Sequence, residues 1–224
     1  MSVLRAPSQD ALADPLRQGV VALGLELGES AQQQLLAYMA LIQRWTRVYN
    51  LTAVRDPQHM LTHHLLDSLS ALSPLMRHTQ GRSTRLLDVG SGGGLPGVVL
   101  AICRPEVQVT CVDTVGKKAA FIQQVAASLR LPNLRGLHAR VESVQEGYDV
   151  ICSRAFASLR DFARWSQNAL SPQGVWMAMK GKRPDDEIAD LPAQVQVFHV
   201  EPLTVPGLDA DRCMVWMRHA AASE

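Results

Sequence analysis

The stretch Leu86 to Gly97, reading Leu-Leu-Asp-Val-Gly-Ser-Gly-Gly-Gly-Leu-Pro-Gly, runs from a short apolar strand into a glycine bend and then into an apolar helix. It restricts the fold more than any other part of the chain. A strand such as 85–89, apolar with little alternation, is the kind buried on both faces of a parallel sheet. The glycines let the backbone turn sharply and let a ligand approach the peptide groups with no Cβ in the way. Pro96 stands where the next helix begins, a position at which its missing N–H does no harm.

Two ligand chemistries compete for this bend. Gly92, Gly94 and Gly97 satisfy G-x-G-x-x-G, whereas Asp88, Gly90, Gly92 and Gly94 satisfy D-x-G-x-G-x-G. A dinucleotide loop presents a helix N-terminus to a pyrophosphate, which a carboxylate at the end of the preceding strand would repel. A ligand ending in an amino acid instead finds in Asp88 a partner for its ammonium group, and S-adenosylmethionine is such a ligand. Asp113 closes the next apolar run, Val107 to Val112, where a carboxylate can accept both ribose hydroxyls. The plain alternative is that Asp88 caps a turn and Asp113 caps the helix beginning near Val115.

With 224 residues, 47% of them apolar, the chain can build one good-sized core and a smaller appendage. A formal charge of +1 makes the chain no global polycation, so any nucleic-acid site must be local. Cys103, Cys111, Cys152 and Cys213 fall singly in apolar runs and read as reduced core residues of a cytoplasmic protein. Met1 to Pro15 lacks the apolar run of a secretory leader, and no apolar stretch approaches the length of a membrane span.

From Asp14 to Thr79 the periodicity is helical. The expectation is a helix from Pro15 to Gly24 or Gly28, a second capped by Ser30 and ending near Tyr49, and a third from Asp56-Pro57 to Pro74. These form a small helical lobe over residues 1–79. Trp45 and Tyr49 read as core before they read as a base-stacking platform, and His59, His63 and His64 lack a third ligand of metal spacing. No metal is expected.

Residues 80–224 alternate strand and helix, predicting a parallel sheet covered on both faces. The strand candidates are 85–89, 107–112, 134–138, 147–152 and 174–179. Helices fit at Pro96 to Cys103, Gly116 to Leu131, Leu159 to Leu170 and Pro184 to Leu191. Gln194 to Val200 and Cys213 to Arg218 then form a hairpin inserted at one end of the sheet. The fold class is α/β, a seven-stranded Rossmann-like sheet.

Ligands bind at the carboxyl ends of such strands. That rule places a cofactor over Asp88, Gly90, Gly92, Asp113 and the segment His138 to Glu142, and its acceptor over Arg154 and Lys180. Cys152 lacks the Pro-Cys context of a carbon-5 pyrimidine nucleophile, and no Asn/Asp-Pro-Pro-aromatic segment serves an exocyclic amine. A ring nitrogen with a free lone pair requires no general base, and none is evident near strand four. Arg154 is read as orienting cofactor or substrate, and Lys180 to Arg183 as engaging phosphates of a polyanionic substrate. The alternative for that second group is a solvated charge run balanced by Asp185, Asp186 and Glu187.

These motifs in this order resemble the RsmG family, also known as glucose-inhibited division protein B. The resemblance rests on Asn50-Leu51-Thr52, His64-Leu65-Leu66-Asp67-Ser68-Leu69, the Asp88 to Gly97 bend, Asp113 with Gly116-Lys117-Lys118, Arg140-Val141-Glu142, Ser153-Arg154-Ala155-Phe156 and Lys180-Gly181. It implies a class I methyltransferase that uses S-adenosylmethionine to methylate nitrogen-7 of the guanine numbered 527 in 16S ribosomal RNA. The partner it implies is that RNA, within the small ribosomal subunit. Carried over by motif position, the cofactor contacts are Gly90, Leu95, Val141, Glu142 and Arg154. The expectation is a monomer. Competing readings are methyl transfer to a small molecule or protein, a non-catalytic cofactor-binding or ribosome-assembly module, and a Rossmann oxidoreductase.

Overall fold

The structure is a computed structural model that describes residues 9–220, so residues 1–8 of the stretch read above for a leader lie outside it. Helices come first: α1 (Gln9–Ala22), α2 (Glu29–Tyr49), α3 (Pro57–Met60), a π-helical turn (Leu61–Leu66), α4 (Asp67–Leu69) and α5 (Leu72–Thr79). Alternation follows, with β1 (Thr84–Val89), α6 (Gly97–Cys103), β2 (Val107–Asp113), α7 (Gly116–Ser128), β3 (Leu134–His138), β4 (Tyr148–Arg154), α8 (Leu159–Ser166), β5 (Leu170–Lys180) and α9 (Asp185–Ala189). The chain closes on a hairpin, β6 (Val195–Pro202) and β7 (Cys213–His219). Among the described residues no helix is long and apolar enough to cross a membrane.

The seven strands lie in the order β3-β2-β1-β4-β5-β7-β6, with β1 to β5 parallel and β7 antiparallel to both β5 and β6. Strand order reverses between β1 and β4, so the loops leaving those two strands diverge and open a crevice at their carboxyl ends. Side chains alternate between two apolar clusters, as a sheet covered on both faces requires. Leu86, Val109, Val150 and Met177 face the first; Leu87, Val112, Ile151 and Trp176 face the second. The first cluster continues without a break into Leu16, Leu35, Met39 and Leu65 of the N-terminal helices.

Several helix boundaries differ from the sequence reading. Pro15 lies inside α1, where the buried ladder Leu12, Leu16 and Val20 holds the helix across the one hydrogen bond proline cannot make. Gly28, with no side-chain cap, precedes α2, so Ser30 sits in the first turn. Asp56 does cap α3, accepting from the His59 N–H at 2.9 Å. Pro74 falls in the first turn of α5, where a missing N–H is harmless, and the helix continues to Thr79. At α8 the helix stops at Ser166 and β5 begins four residues earlier than expected, at Leu170.

Between these boundaries, every residue from His64 to Leu69 is buried. An ordinary amphipathic helix exposes part of such a run. The π-helical turn widens the helix here, at a segment wedged between the N-terminal helices and the sheet's crevice. The helical segment also reaches the glycine bend directly, because the Tyr38 hydroxyl donates to the Gly93 carbonyl at 2.5 Å from a fully buried ring. Tyr38→Phe is expected to cost about 1 kcal/mol. Urea unfolding checks it, with a lowered midpoint and an unchanged m-value.

Candidate functional site

The bend after β1 is built on three left-handed residues, with φ of 65° at Gly90, 58° at Gly92 and 89° at Gly94. Side chains are strained in that region, and at Gly90 a Cβ would also collide with the Phe156 ring. The backbone closes on itself through Gly94 N–H to Ser91 C=O at 2.7 Å, and Gly90 N–H reaches the Val112 carbonyl at 2.9 Å.

Asp88 lies underneath this bend and does not face the cavities described below. It is 0% exposed, and its Oδ2 accepts from the Gly97 N–H at 2.8 Å, so it ties the end of β1 to the start of α6. Its neighbours in register are Cys111 and Cys152 on the two adjacent strands. Burial pushes its carboxyl up to about 7 despite that hydrogen bond and Arg154. The structure thus places Asp88, expected beside a ligand ammonium, as a clamp between β1 and α6. Burial likewise pushes the Cys152 thiol well above its ordinary range, as suits a core residue and not a nucleophile.

Two cavities open at the carboxyl ends of the strands, and Gly90 lines both. The first, of about 720 Å³, holds Asp113, Val141 and Glu142, with Phe156 and Trp165 on its far wall. The Asp113 carboxylate is oriented by Gly92 N–H at 3.0 Å and Val115 N–H at 2.9 Å. A carboxylate has about four acceptor positions, so it retains capacity toward the cavity. The second cavity, of about 370 Å³, holds Gly92, Leu95, Arg154 and Lys180 against Leu51, Thr52 and His64 of the helical segment. Gly90, Gly92, Leu95, Asp113, Val141, Glu142, Arg154 and Lys180 thus each line one cavity or the other, whereas Asp88 and, in the segment after Lys180, Lys182 and Arg183 line neither.

The cations of the second cavity are arranged differently from the sequence reading. Lys180 does not offer a free charge for phosphates: its ammonium donates to both Glu187 oxygens at 3.0 and 2.8 Å and to the Ala157 carbonyl at 2.9 Å. Arg154 donates through Nη1 to Asp67 at 2.6 Å and to the His63 carbonyl at 2.8 Å. Asp67, only 2% exposed, also accepts from Arg212 Nε at 2.8 Å. Neither Asp67 nor Arg212 was singled out as a site residue. A buried aspartate inside a helical apolar run was the visible signal for the first; nothing local marks the second, which arrives from the turn before β7.

Thr52 and His64 complete the helical wall, with Oγ1 and Nε2 2.8 Å apart. Burial first, and Arg154 next, lower the imidazole to about 4, so it is neutral at physiological pH. Tyr49 is half exposed under Lys117, while Trp45 packs on Phe121 with its indole N–H on Gln124. His59 and His63 meet edge to face at 5.9 Å, and among the described residues no three metal-capable side chains gather.

Comparison with known proteins now decides the family. The family model for rRNA small subunit methyltransferase G (GidB) matches residues 31–215. The chain is 64% identical over 217 residues to ribosomal RNA small subunit methyltransferase G of Polaromonas naphthalenivorans, covering 95% of this chain and 98% of that protein. It is 62% identical over 226 residues to the protein of the same name from Paracidovorax citrulli, covering 96% and 93%. The chain belongs to the rRNA small subunit methyltransferase G family. Solved structures carry the fold further afield. TrmN from Thermus thermophilus aligns with a TM-score of 0.55 at 19% identity over 71% of this chain and 53% of that one. A SAM dependent methyltransferase from Aquifex aeolicus aligns at 0.51 and 15% identity, over 67% and 92%. The architecture is thus the class I methyltransferase sheet, with methyltransferase G's helical segment packed over its crevice.

In this member of the family the Asp88 clamp has a measurable signature. Its folded carboxyl lies near 7, above the ordinary 3.8, so its contribution to stability is full below about pH 4 and is lost as pH rises toward 7. Asp88→Asn keeps an acceptor for the Gly97 N–H and removes the titration. The unfolding free energy of the variant is expected to gain on the parent's as pH rises from 4 to 8, read from denaturant melts across that range.

Proposed function

We propose that this chain methylates nitrogen-7 of the guanine numbered 527 in 16S ribosomal RNA, within the small ribosomal subunit, using S-adenosylmethionine. Family membership already places it among the rRNA small subunit methyltransferases. The single observation that supports the mechanism is the pair of cavities meeting at Gly90: in this reading the first takes the adenosine, and the second takes the methionine end together with the acceptor.

The residues present fit that cofactor. The bend supplies a bare-backbone cradle, and Ser91, which lines the second cavity, has a buried Oγ without a hydrogen-bond partner among the described residues. In this reading Asp113 and Glu142 take the ribose hydroxyls, Val141 packs on the adenosine, and Gly90, Gly92, Leu95 and Arg154 hold the methionine end. When bound, the cofactor supplies a methyl group activated by its sulfonium. The protein aligns the acceptor with that methyl and keeps water away, which is most of what an in-line displacement needs. A guanine nitrogen-7 already carries its lone pair, so no base has to be deprotonated. In accord with this, the second cavity holds a neutral His64, a Lys180 already paired with Glu187, and an Asp67 already shared by two arginines. We assign residues 1–79 as the helical lobe and residues 80–224 as the methyltransferase domain, working as a cytoplasmic monomer.

The test is methyl transfer from labelled cofactor to small subunits from cells lacking this protein, with the modified base located by borohydride reduction and aniline cleavage. Cleavage at guanine 527 alone is expected; label elsewhere in the RNA, or none, overturns the reading. Asp113→Ala and Glu142→Ala are expected to weaken adenosylhomocysteine binding about 10- to 100-fold each, from loss of charge-assisted hydrogen bonds. Arg154→Ala is expected to reduce transfer to background while the far-ultraviolet dichroism stays that of the parent.

A further inference from the structure

An RNA acceptor must bring phosphates to the rim of the second cavity, and the cation expected to meet them is already occupied. Lys180 is engaged by Glu187, and Arg183 beyond it is paired with Asp185 at 2.6 Å. Resting on the function proposed above, we propose that Arg212 is the phosphate anchor. Its guanidinium, fixed by Asp67, takes one backbone phosphodiester beside the target nucleotide, and Arg154 is left to the cofactor side.

Three observations converge on this residue. First, it is fixed in place: Nε donates to Asp67 and Nη1 to the Asp211 carbonyl, each at 2.8 Å, with the side chain 24% exposed. A cation already ordered in the free protein loses little rotamer freedom on binding. Second, it retains donors, since Nη2 has no acceptor among the described residues, and a guanidinium fork matches the spacing of phosphate oxygens. Third, the charges do not cancel. Asp67 offers one negative charge to two guanidinium groups, while Lys180 and Glu187 neutralise each other, so the cavity holds an unbalanced positive charge.

The fold explains why this arginine arrives here. A Cβ at Gly181 would lie 3.9 Å from the Asp211 carbonyl, so the turn before β7 rests against the end of β5, and Arg212 enters the cavity opposite the glycine bend. Asp67 is a positioning residue in this scheme: its Oδ1 holds Arg212 and its Oδ2 holds Arg154.

The experiment measures binding to unmethylated small subunits over a series of salt concentrations, together with adenosylhomocysteine affinity. For Arg212→Gln the RNA affinity is expected to fall about tenfold or more at low salt, and the slope of log K against log salt to fall by about one. Adenosylhomocysteine affinity is expected to stay at the parent's value. Arg212→Lys keeps the charge without the fork, so a smaller loss with an unchanged slope supports the assignment. It also carries the test if the glutamine variant does not fold, in which case parental affinity in the lysine variant overturns the proposal. Parental affinity and slope in Arg212→Gln overturn it outright, as does a loss confined to adenosylhomocysteine. Failure of the parent protein to methylate ribosomal RNA is read separately, and strikes the function and not this residue.

Discussion

The site depends on a carboxylate that never meets the solvent. Asp88 stands one residue before the end of β1 and accepts the first N–H of α6, so the bend between them cannot drift from the crevice. The chain tolerates a group that burial holds half-protonated near neutrality, because a less polar residue would leave the Gly97 N–H unsatisfied in the middle of the sheet. Gly97 itself is required by the same contact: a Cβ there would lie 2.8 Å from Asp88 Oδ2 and 2.6 Å from Cys111 Sγ. Tyr38 then holds the bend from above, through Gly93. Clamped on both sides, the glycines present bare backbone at one fixed place where the two cavities meet.

Much of this architecture is legible in the chain's own patterns. The succession of strands and helices and the closing hairpin follow from alternation, which is a local property, and Asp56-Pro57 announced its helix because cap and proline act within one turn. What was not legible involves contacts distant in sequence. Pro15 and Pro74 mislead because a proline's effect depends on how much burial surrounds it, and neither Leu12 nor Leu16 reveals its partners locally. In the site, the acid motif marks the bend, and the structure buries the acid itself against the helix behind. A carboxylate at a strand end can face the ligand or the helix behind it, and only packing decides. Lys180 and Glu187 are seven residues apart across a turn, so their pairing was visible at most as charge balance.

The N-terminal helices do more than cover one face of the sheet. Together with the loop after α2, which carries Leu51 and Thr52, they bring His64 and Asp67 to the second cavity, whereas none of them lines the first. This division makes the second cavity depend on the N-terminal segment, which the first does not need. It also accounts for the buried run from His64 to Leu69. A segment that must face the apolar core on one side and two arginines on the other has no face left for water, and a wide π-helical turn accommodates it.

In the reaction proposed above, a guanidinium close to nitrogen-7 would pose an electrostatic difficulty, since that atom becomes positive as the methyl arrives and an unpaired cation beside it would raise the barrier. Asp67 resolves it. With its carboxylate 2.6 Å from Arg154, the field of that arginine is largely that of a dipole at the reacting centre, while Arg212 is placed to meet a negative phosphate. The neutral His64 belongs to the same design, because a protonated imidazole on this wall would oppose the transfer and Arg154 already disfavours it. Under that proposal the second cavity carries cations whose charge is either compensated by a carboxylate or turned toward the RNA backbone. Such a cavity can bind a polyanion without opposing the formation of a positively charged base.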